Sequence, residues 1–202
     1  MTGLRERKKQ ETRQRLSNLA TAMFAERGFD NVSVTEVAEA AGVSKMTVFN
    51  YFPRKEDLFF DRNPEIMSLL ATTVRERPAG STPLAAVRDL VLRQLDEDHP
   101  VLGLGDRSAG FWRMILDSPT LRARAREAAE ELEGLLATLF AETYGDANGR
   151  LTAALLWAAW RTAYLSGARR VLAGEPAAEF FAEQRAWTAH CLAAVPEPVP
   201  MH

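Results

Sequence analysis

The chain of 202 residues is 47% hydrophobic and has a formal net charge of −2, which allows a substantial core and argues against global disorder. Its one cysteine, Cys191, excludes an internal disulfide. No apolar run reaches about 18 residues, and the charged N-terminus lacks a signal-peptide core, so we expect a soluble cytoplasmic protein without a membrane span. Ala, Leu, Arg and Glu dominate long segments that contain few Gly or Pro, which predicts an all-α fold.

The charge is distributed unevenly along the chain. Residues 1–62 carry 11 Lys and Arg against 9 Asp and Glu, whereas residues 63–202 carry 14 against 18. The excess of positive charge comes from a basic arm before residue 16, which carries six Lys and Arg against two Asp and Glu. Such an arm on an otherwise acidic chain predicts an anionic partner at this end, and a solvated, disordered tail is the alternative.

The first three predicted helices have clear signals at their ends. Apolar residues from Leu16 to Phe24 recur at three- and four-residue spacing and predict a helix over residues 9–27. The sequence SVTE has the pattern of a capping box and starts a second helix over residues 34–41. Gly42 ends that helix, Ser44 offers an N-cap for a third over residues 45–52, and Pro53 stops it. Two helices joined by a short Gly-containing turn form a helix-turn-helix unit.

The remaining sequence predicts further helices and no strands. A fourth helix begins near residue 54, is interrupted at Asn63-Pro64 and continues to residue 74. Thr82-Pro83 opens a helix to about residue 98, before the irregular segment HPVLGLGD over residues 99–106. A short helix surrounds residues 111–115, and Ser118-Pro119 starts one that ends at residue 144. The last two helices are predicted over residues 150–172 and 176–195, followed by a flexible tail over residues 196–202.

The outward side of the third predicted helix carries side chains that suit DNA. A helix-turn-helix presents the N-terminal end of this helix to the base edges in the major groove. Lys45 can donate to guanine, Asn50 can pair with adenine and Met46 can contact a thymine methyl group. Phosphate contacts are predicted for Ser33, Thr47, Tyr51 and Lys55. The alternative is an ordinary helical hairpin.

The segment MFAERGFDNVSVTEVAEAAGVSKMTVFNYFPRKEDL resembles the DNA-binding domain of the TetR family of bacterial transcriptional regulators. The resemblance covers about residues 10–60 and implies a helix-turn-helix domain over residues 1–53. It also implies a helical effector-binding and dimerisation domain over residues 54–195, and repression as the usual activity. Carried over by position, it implies DNA contacts from Ser33, Thr35, Lys45, Met46, Thr47, Phe49, Asn50, Tyr51 and Lys55.

Three residues depart from the family pattern. Met46 stands where the family usually has Gly, so the base contact there is individual to this chain. Phe49 replaces a frequent Tyr and removes a hydroxyl group. Arg54 replaces the usual Ser or Asn, which loses a helix cap but adds a charge.

The resemblance also implies a homodimer formed through the last two long helices. A single helix-turn-helix has low sequence specificity for DNA, since each base contact contributes only about 1–3 kcal/mol of discrimination. The segment LTAALLWAAWRTAYLSGARRVL is apolar on more than one side, which favours a partner, although a helix buried within one subunit is the alternative. A dimer predicts a palindromic operator with half-sites about 34–36 Å apart, or a multiple of that distance.

A small-molecule effector site is implied in the larger domain. Its predicted lining residues are Phe111, Trp112, Ile115, Trp157, Trp160, Arg161 and Tyr164. The segment FWRMILDSPTLRARARE and the preceding LGLGD resemble the subgroup of mycofactocin-system regulators, some of which sense acyl-CoA thioesters. An acyl-CoA-like effector with its anionic head group against Arg113 or Arg161 is therefore one hypothesis. The alternative is that these aromatic residues only fill the core.

An enzyme is the competing class. His99, His190 and His202 are not at metal-ligand spacing, and no nucleophile or phosphate-binding motif is present, so we expect no catalytic site, metal or cofactor. A DNA-binding regulator without any effector is the second alternative.

Overall fold

The computed structural model describes residues 3–97, 104–105 and 108–198, and within them it contains ten α-helices and no strand. The all-α prediction is confirmed. No helix in this part of the chain is long and apolar enough to cross a membrane. The helices are α1 (Leu4–Arg27), α2 (Val34–Ala40), α3 (Lys45–Tyr51), α4 (Glu56–Phe59), α5 (Asn63–Arg75), α6 (Pro83–Asp96), α7 (Ala109–Asp117), α8 (Pro119–Tyr144), α9 (Asp146–Ala173) and α10 (Ala177–Ala193).

The chain divides into two compact units. The first unit, here called the head, contains the described residues up to Arg62 together with Met114–Arg124. The second unit, the body, contains Asn63–Arg113 and the chain from Ala125 onward. The sequence suggested a boundary after residue 53, whereas the compact head also includes α4 and the segment around the start of α8.

The core of the head forms where α1 packs against α2 and α4. The predicted apolar stripe of α1 is buried, with Leu16, Ala20 and Phe24 fully inaccessible to solvent. Phe29 joins it through an edge-to-face contact with the Phe24 ring at 4.9 Å between centroids, a geometry that aromatic pairs prefer. Helix α1 begins at Leu4, five residues before its predicted start, so Arg7, Lys8 and Lys9 of the basic arm are helical and exposed.

Two bonds attach the start of α8 to the rest of the head. The Arg124 Nε donates to Asp57 Oδ1 at 3.2 Å, and this guanidinium is nearly buried. The Ser118 hydroxyl donates to Asp30 Oδ1 at 3.0 Å. These contacts join residues 67 and 88 positions apart in the sequence, so no local pattern indicates them.

The body is built from α6, α8, α9 and α10 around a continuous apolar core. Gly149 permits a close approach of α9 to α8, because a Cβ at that position would lie 2.5 Å from the backbone nitrogen of Ala141. The buried cluster comprises Val74, Leu84, Val87, Leu136, Leu139, Phe140, Ala153, Leu156, Leu192 and Val195.

Within the segment 196–202, where the sequence predicts a flexible tail, Glu197 makes several polar contacts. The Thr82 and Tyr144 hydroxyls donate to the Glu197 carboxylate at 2.9 and 3.2 Å. The Arg88 guanidinium lies 3.6 Å from the same carboxylate and donates to the Leu192 carbonyl at 3.0 Å. Polar contacts to the body therefore hold Glu197 in place, and residues 199–202 lie outside the described part of the chain.

Candidate DNA-binding surface and body cavity

The corner between α2 and α3 is formed as predicted. Gly42 has a φ of 67°, in the left-handed region that favours glycine. The backbone N–H of Val43 donates to the Ala38 carbonyl at 3.0 Å and closes the turn. Because Val37, Ala38 and Val48 are buried, the two helices pack on their inner faces and leave the outer face of α3 to solvent.

The predicted capping box fixes the start of α2. The Ser33 hydroxyl accepts from the Glu36 N–H at 3.2 Å, and the Glu36 carboxylate accepts from the Ser33 N–H at 2.8 Å. Arg27 adds an ion pair to Glu36 at 2.6 Å. The Ser33 backbone bond, followed by the bond from Arg27, lowers the pKa of Glu36 to about 2. The carboxylate therefore remains charged at neutral pH and stays bonded to the helix terminus.

The start of α3 is capped by Ser44, which accepts from the Thr47 N–H at 3.0 Å. The Ser44 and Thr47 hydroxyls are also bonded to each other at 2.8 Å. This pair gives α3 a defined first turn, from which Lys45 and Met46 project. A hydroxyl can donate once and accept twice, so Thr47 keeps capacity for another partner.

The predicted DNA-contacting residues fall into an exposed set and a half-buried set. Lys45, Asn50, Ser33 and Thr35 are exposed, and 69% of Met46 is accessible, which is unusual for a large apolar side chain. Thr47, Phe49 and Tyr51 are half-buried. A groove of about 390 Å³ brings together Ser33, Thr35, Lys45, Phe49 and Lys55, and Met46, Thr47, Asn50 and Tyr51 do not line it.

Lys55 differs from the solvent-facing phosphate ligand expected from the sequence. Its ammonium donates to the Phe29 carbonyl at 2.6 Å and lies 4.2 Å from the centroid of the Phe29 ring. Burial lowers the pKa of this ammonium, while the nearby Asp30 carboxylate opposes the shift. Lys55 therefore ties the start of α4 to the loop after α1, and only its remaining N–H donors can reach a phosphate.

Arg13 has a structural role that the sequence did not indicate. As part of the basic arm it was expected to face an anionic partner. Its guanidinium instead donates to the carbonyls of Tyr51 and Asp61 at 2.8 and 3.0 Å, and lies 4.2 Å from the centroid of the Phe52 ring. Arg13 thereby fixes the C-terminal end of α3 against α1.

The body contains an apolar cavity of about 110 Å³. Gln94 is its only lining residue with a hydrogen-bond acceptor in the side chain, and the Gln94 Oε1 atom is buried without a partner in the described chain. The cavity is lined by Ile66, Leu69, Leu70, Val87, Leu90, Val91, Gln94, Leu132, Leu136, Leu156, Trp157, Trp160 and Leu192.

Two of the seven predicted effector-binding residues, Trp157 and Trp160, line this cavity. The other five, which do not line it, are Phe111, Trp112, Ile115, Arg161 and Tyr164.

Four of these five residues have other environments. Tyr164 stacks on Trp160 at 5.0 Å between ring centroids and contacts Trp112 at 5.2 Å, so these rings pack on each other. Burial raises the pKa of the Tyr164 hydroxyl well above its usual range. Arg161 is exposed to solvent, and Ile115 is buried and belongs to the head.

Residues 17–61, which contain the whole α2–α3 corner, match the family model described as bacterial regulatory proteins, tetR family. The transcriptional regulator TcmR of Streptomyces glaucescens is 31% identical over 146 residues, which cover 71% of this chain and 65% of TcmR. Residues 17–61 form a TetR-family DNA-binding domain. The head of the chain corresponds to the family's helix-turn-helix domain.

Two further TetR-family proteins extend the similarity. A protein of Mycobacterium tuberculosis, named as the proposed mycofactocin biosynthesis regulator MftR, is 39% identical over 121 residues, or 58% of each chain. The chain thus spans less than two thirds of the length of these curated relatives. A TetR-family crystal structure from Mesorhizobium loti shares the fold with a TM-score of 0.58 at 18% identity, over 93% of this chain and 96% of that one. These relatives are named as regulators and not as enzymes.

Proposed function

We propose that this chain is a dimeric transcriptional regulator of the TetR family that binds a palindromic operator through α3 and is released by a small-molecule effector. Repression is the proposed activity. The observation that carries the proposal is the set of exposed side chains at the capped start of α3, Lys45, Met46 and Asn50, on the family's DNA-binding head.

In the proposed complex, α3 lies in the major groove. Lys45 donates to guanine O6 or N7, Asn50 forms paired bonds with adenine, and Met46 contacts a thymine methyl group. Phosphate contacts come from Ser33, Thr35, Thr47 and Tyr51, and from the remaining N–H donors of Lys55. Phe49 has no polar group to offer and lies 5.8 Å from the Lys45 ammonium, so it supports that side chain in place.

The proposed dimer forms through exposed apolar side chains of α9 and α10. Leu151, Leu155 and Leu165 of α9 are 59%, 39% and 39% accessible, and Trp187 of α10 is 43% accessible. The three leucines fall within about 80° of one another on a helix of 3.6 residues per turn, and the exposed Arg150 and Arg161 flank them on one side. An apolar patch with a charged edge favours a second copy of the chain as its partner.

The proposed effector occupies the body cavity. Helix α8 supplies Arg124 to the head and Leu132 and Leu136 to the cavity lining, so one continuous helix participates in both units. Ligand and DNA would then favour different conformers of the dimer, and each would weaken binding of the other by the same factor.

The proposal is tested by fluorescence anisotropy with duplexes from the region upstream of the chain's own gene. Asn50→Ala should reduce the preference for the native sequence over a scrambled duplex by about 1–3 kcal/mol, because it removes a base contact. The matched control is Asn18→Ala, an exposed asparagine of α1 whose side chain bonds to Gln14.

Three results would bear on the proposal separately. Unchanged preference in Asn50→Ala would exclude base reading by α3. Equal loss with Asn18→Ala would indicate damage to the head rather than to a contact. If no small molecule in a thermal-shift and anisotropy screen releases the DNA, the result would favour a regulator without an effector.

A further inference from the structure

The side chains that line the body cavity present almost only hydrocarbon to a ligand. Of the 13 described residues that line it, ten are Leu, Ile or Val, two are tryptophans and one is Gln94. None of them carries a charge. An apolar cavity of about 150 Å³ can hold one benzene molecule. The 110 Å³ present here is smaller, so it suits no more than one small ring or a short alkyl chain.

Gln94 provides the cavity with one directed polar group. Its Nε2 donates to the Glu97 carboxylate at 3.4 Å. A carboxylate only accepts, so this bond turns the NH₂ group toward Glu97 and fixes the orientation of the amide. Its Oε1 remains buried without a donor in the described chain. Buried acceptors in native proteins are nearly always satisfied, by protein, water or a ligand.

We propose that the cavity binds an uncharged, largely apolar small molecule whose single N–H or O–H group donates to Gln94 Oε1. This inference rests on the proposed effector role of the cavity and specifies the chemistry of the effector. A carboxylate or phosphate would be buried there against an acceptor oxygen, and none of the described lining residues is a cation that could compensate its lost hydration. The lining therefore disfavours the acyl-CoA head group suggested from the sequence.

Three probes of similar shape test the proposal on the full-length protein by isothermal titration calorimetry. The probes are phenol, toluene and benzoate, which present a donor, a methyl group and an anion at the same position of one ring. We expect phenol to bind and benzoate not to bind at concentrations that saturate the phenol. In Gln94→Leu, the affinity of phenol relative to toluene should fall about tenfold, because the hydroxyl loses its acceptor.

Two further variants keep the experiment decisive. Gln94→Met retains the length of the side chain and should reproduce the change seen with Leu. Val91→Phe fills the cavity and should weaken the binding of phenol and toluene alike, which locates both probes. Cooperative thermal unfolding establishes that each variant is folded.

The outcomes separate the ligand chemistry from the regulatory role. Failure of phenol to bind, equal binding of benzoate, or an unchanged phenol-to-toluene ratio in both Gln94 variants would overturn the inference. Binding that follows the expected pattern but leaves operator affinity unchanged would support the inference and contradict the effector role.

Discussion

Individual side chains in the head serve either the DNA-binding surface or the scaffold behind it. Lys45 and Asn50 are exposed at α3, whereas Lys55 and Arg13 donate to backbone carbonyls within the head. All four are polar residues within residues 1–62, the part of the chain in which Lys and Arg outnumber Asp and Glu. What separates them is whether a carbonyl lies within reach, since a buried polar group needs such a partner.

Lys55→Met should destabilise the protein as well as weaken DNA binding. The substitution keeps the apolar stem and removes an ammonium that donates to the Phe29 carbonyl and lies over its ring. Hydrogen bonds of charged groups contribute about 1.5–3 kcal/mol, so we expect a loss of about 1–2 kcal/mol at this half-buried position. Urea unfolding measures the loss.

The salt dependence of DNA binding distinguishes the two roles of Lys55. Arg15→Met, which changes an exposed residue of α1, is the control and should leave stability unchanged. The decisive quantity is the slope of log affinity against log salt concentration. If Lys55→Met unfolds like the wild type while this slope falls by about one unit, the loss of one phosphate contact, Lys55 is a DNA ligand and the structural role assigned to it is wrong.

The short helices of the head depend on their ends more than on their interiors. Helices α2 and α3 have seven residues each, too few for stability in isolation, so caps and packing maintain them. Capping signals are local, within three or four residues, which explains why Ser33, Glu36, Gly42 and Ser44 could be assigned from the sequence. The bonds of Lys55 and Arg13 span 26 and 38 residues and depend on tertiary packing.

Stability of the capping box should depend on pH through Glu36. Its folded pKa of about 2 lies below the ordinary value of 4.5, so its contribution is present above pH 4.5 and is lost as the pH falls toward 2. The difference in Tm between wild type and Glu36→Ala should therefore shrink as the pH falls through this window. Glu36→Gln keeps a side-chain acceptor without a titrating charge, and its Tm difference from Glu36→Ala should stay constant.

Two glycine substitutions should have opposite effects. Gly42→Ala meets open space but must adopt a φ of 67°, which costs about 1–2 kcal/mol. Gly134→Ala also meets open space but lies inside α8 with ordinary helical geometry, so it should stabilise by about 0.5–1 kcal/mol. Thermal denaturation measures both. Equal effects of the two substitutions would show that the conformation at Gly42 does not determine the corner.

At the scale of the whole molecule, the fold was easier to predict than the cavity. Apolar spacing identified the helices, since each buries a stripe such as Leu16, Ala20 and Phe24. The cavity draws side chains from α5, α6, α8, α9 and α10, and only their packing decides which side of each helix faces the void. Trp157 lines the cavity and Arg161, one turn later, is exposed, a difference that periodicity alone did not reveal.

The proposed dimer depends on the apolar face of α9. Leu155→Glu places a charge within that face, so it should convert dimers to monomers and reduce operator affinity by more than tenfold. Arg126→Glu, an exposed substitution on α8, is the control and should preserve the dimer. Sedimentation velocity measures the oligomeric state. A Leu155→Glu protein that remains dimeric would place the interface elsewhere.

The measurement that tests the central claim most directly is selection of binding sites from random duplexes, followed by native mass spectrometry of the selected complex. We predict that the selected sequence is a palindrome whose half-sites lie about 34–36 Å apart, or a multiple of that distance. One dimer should be bound to each selected duplex. A selected pool without sequence preference, or one chain bound to a single half-site at full affinity, would contradict the account.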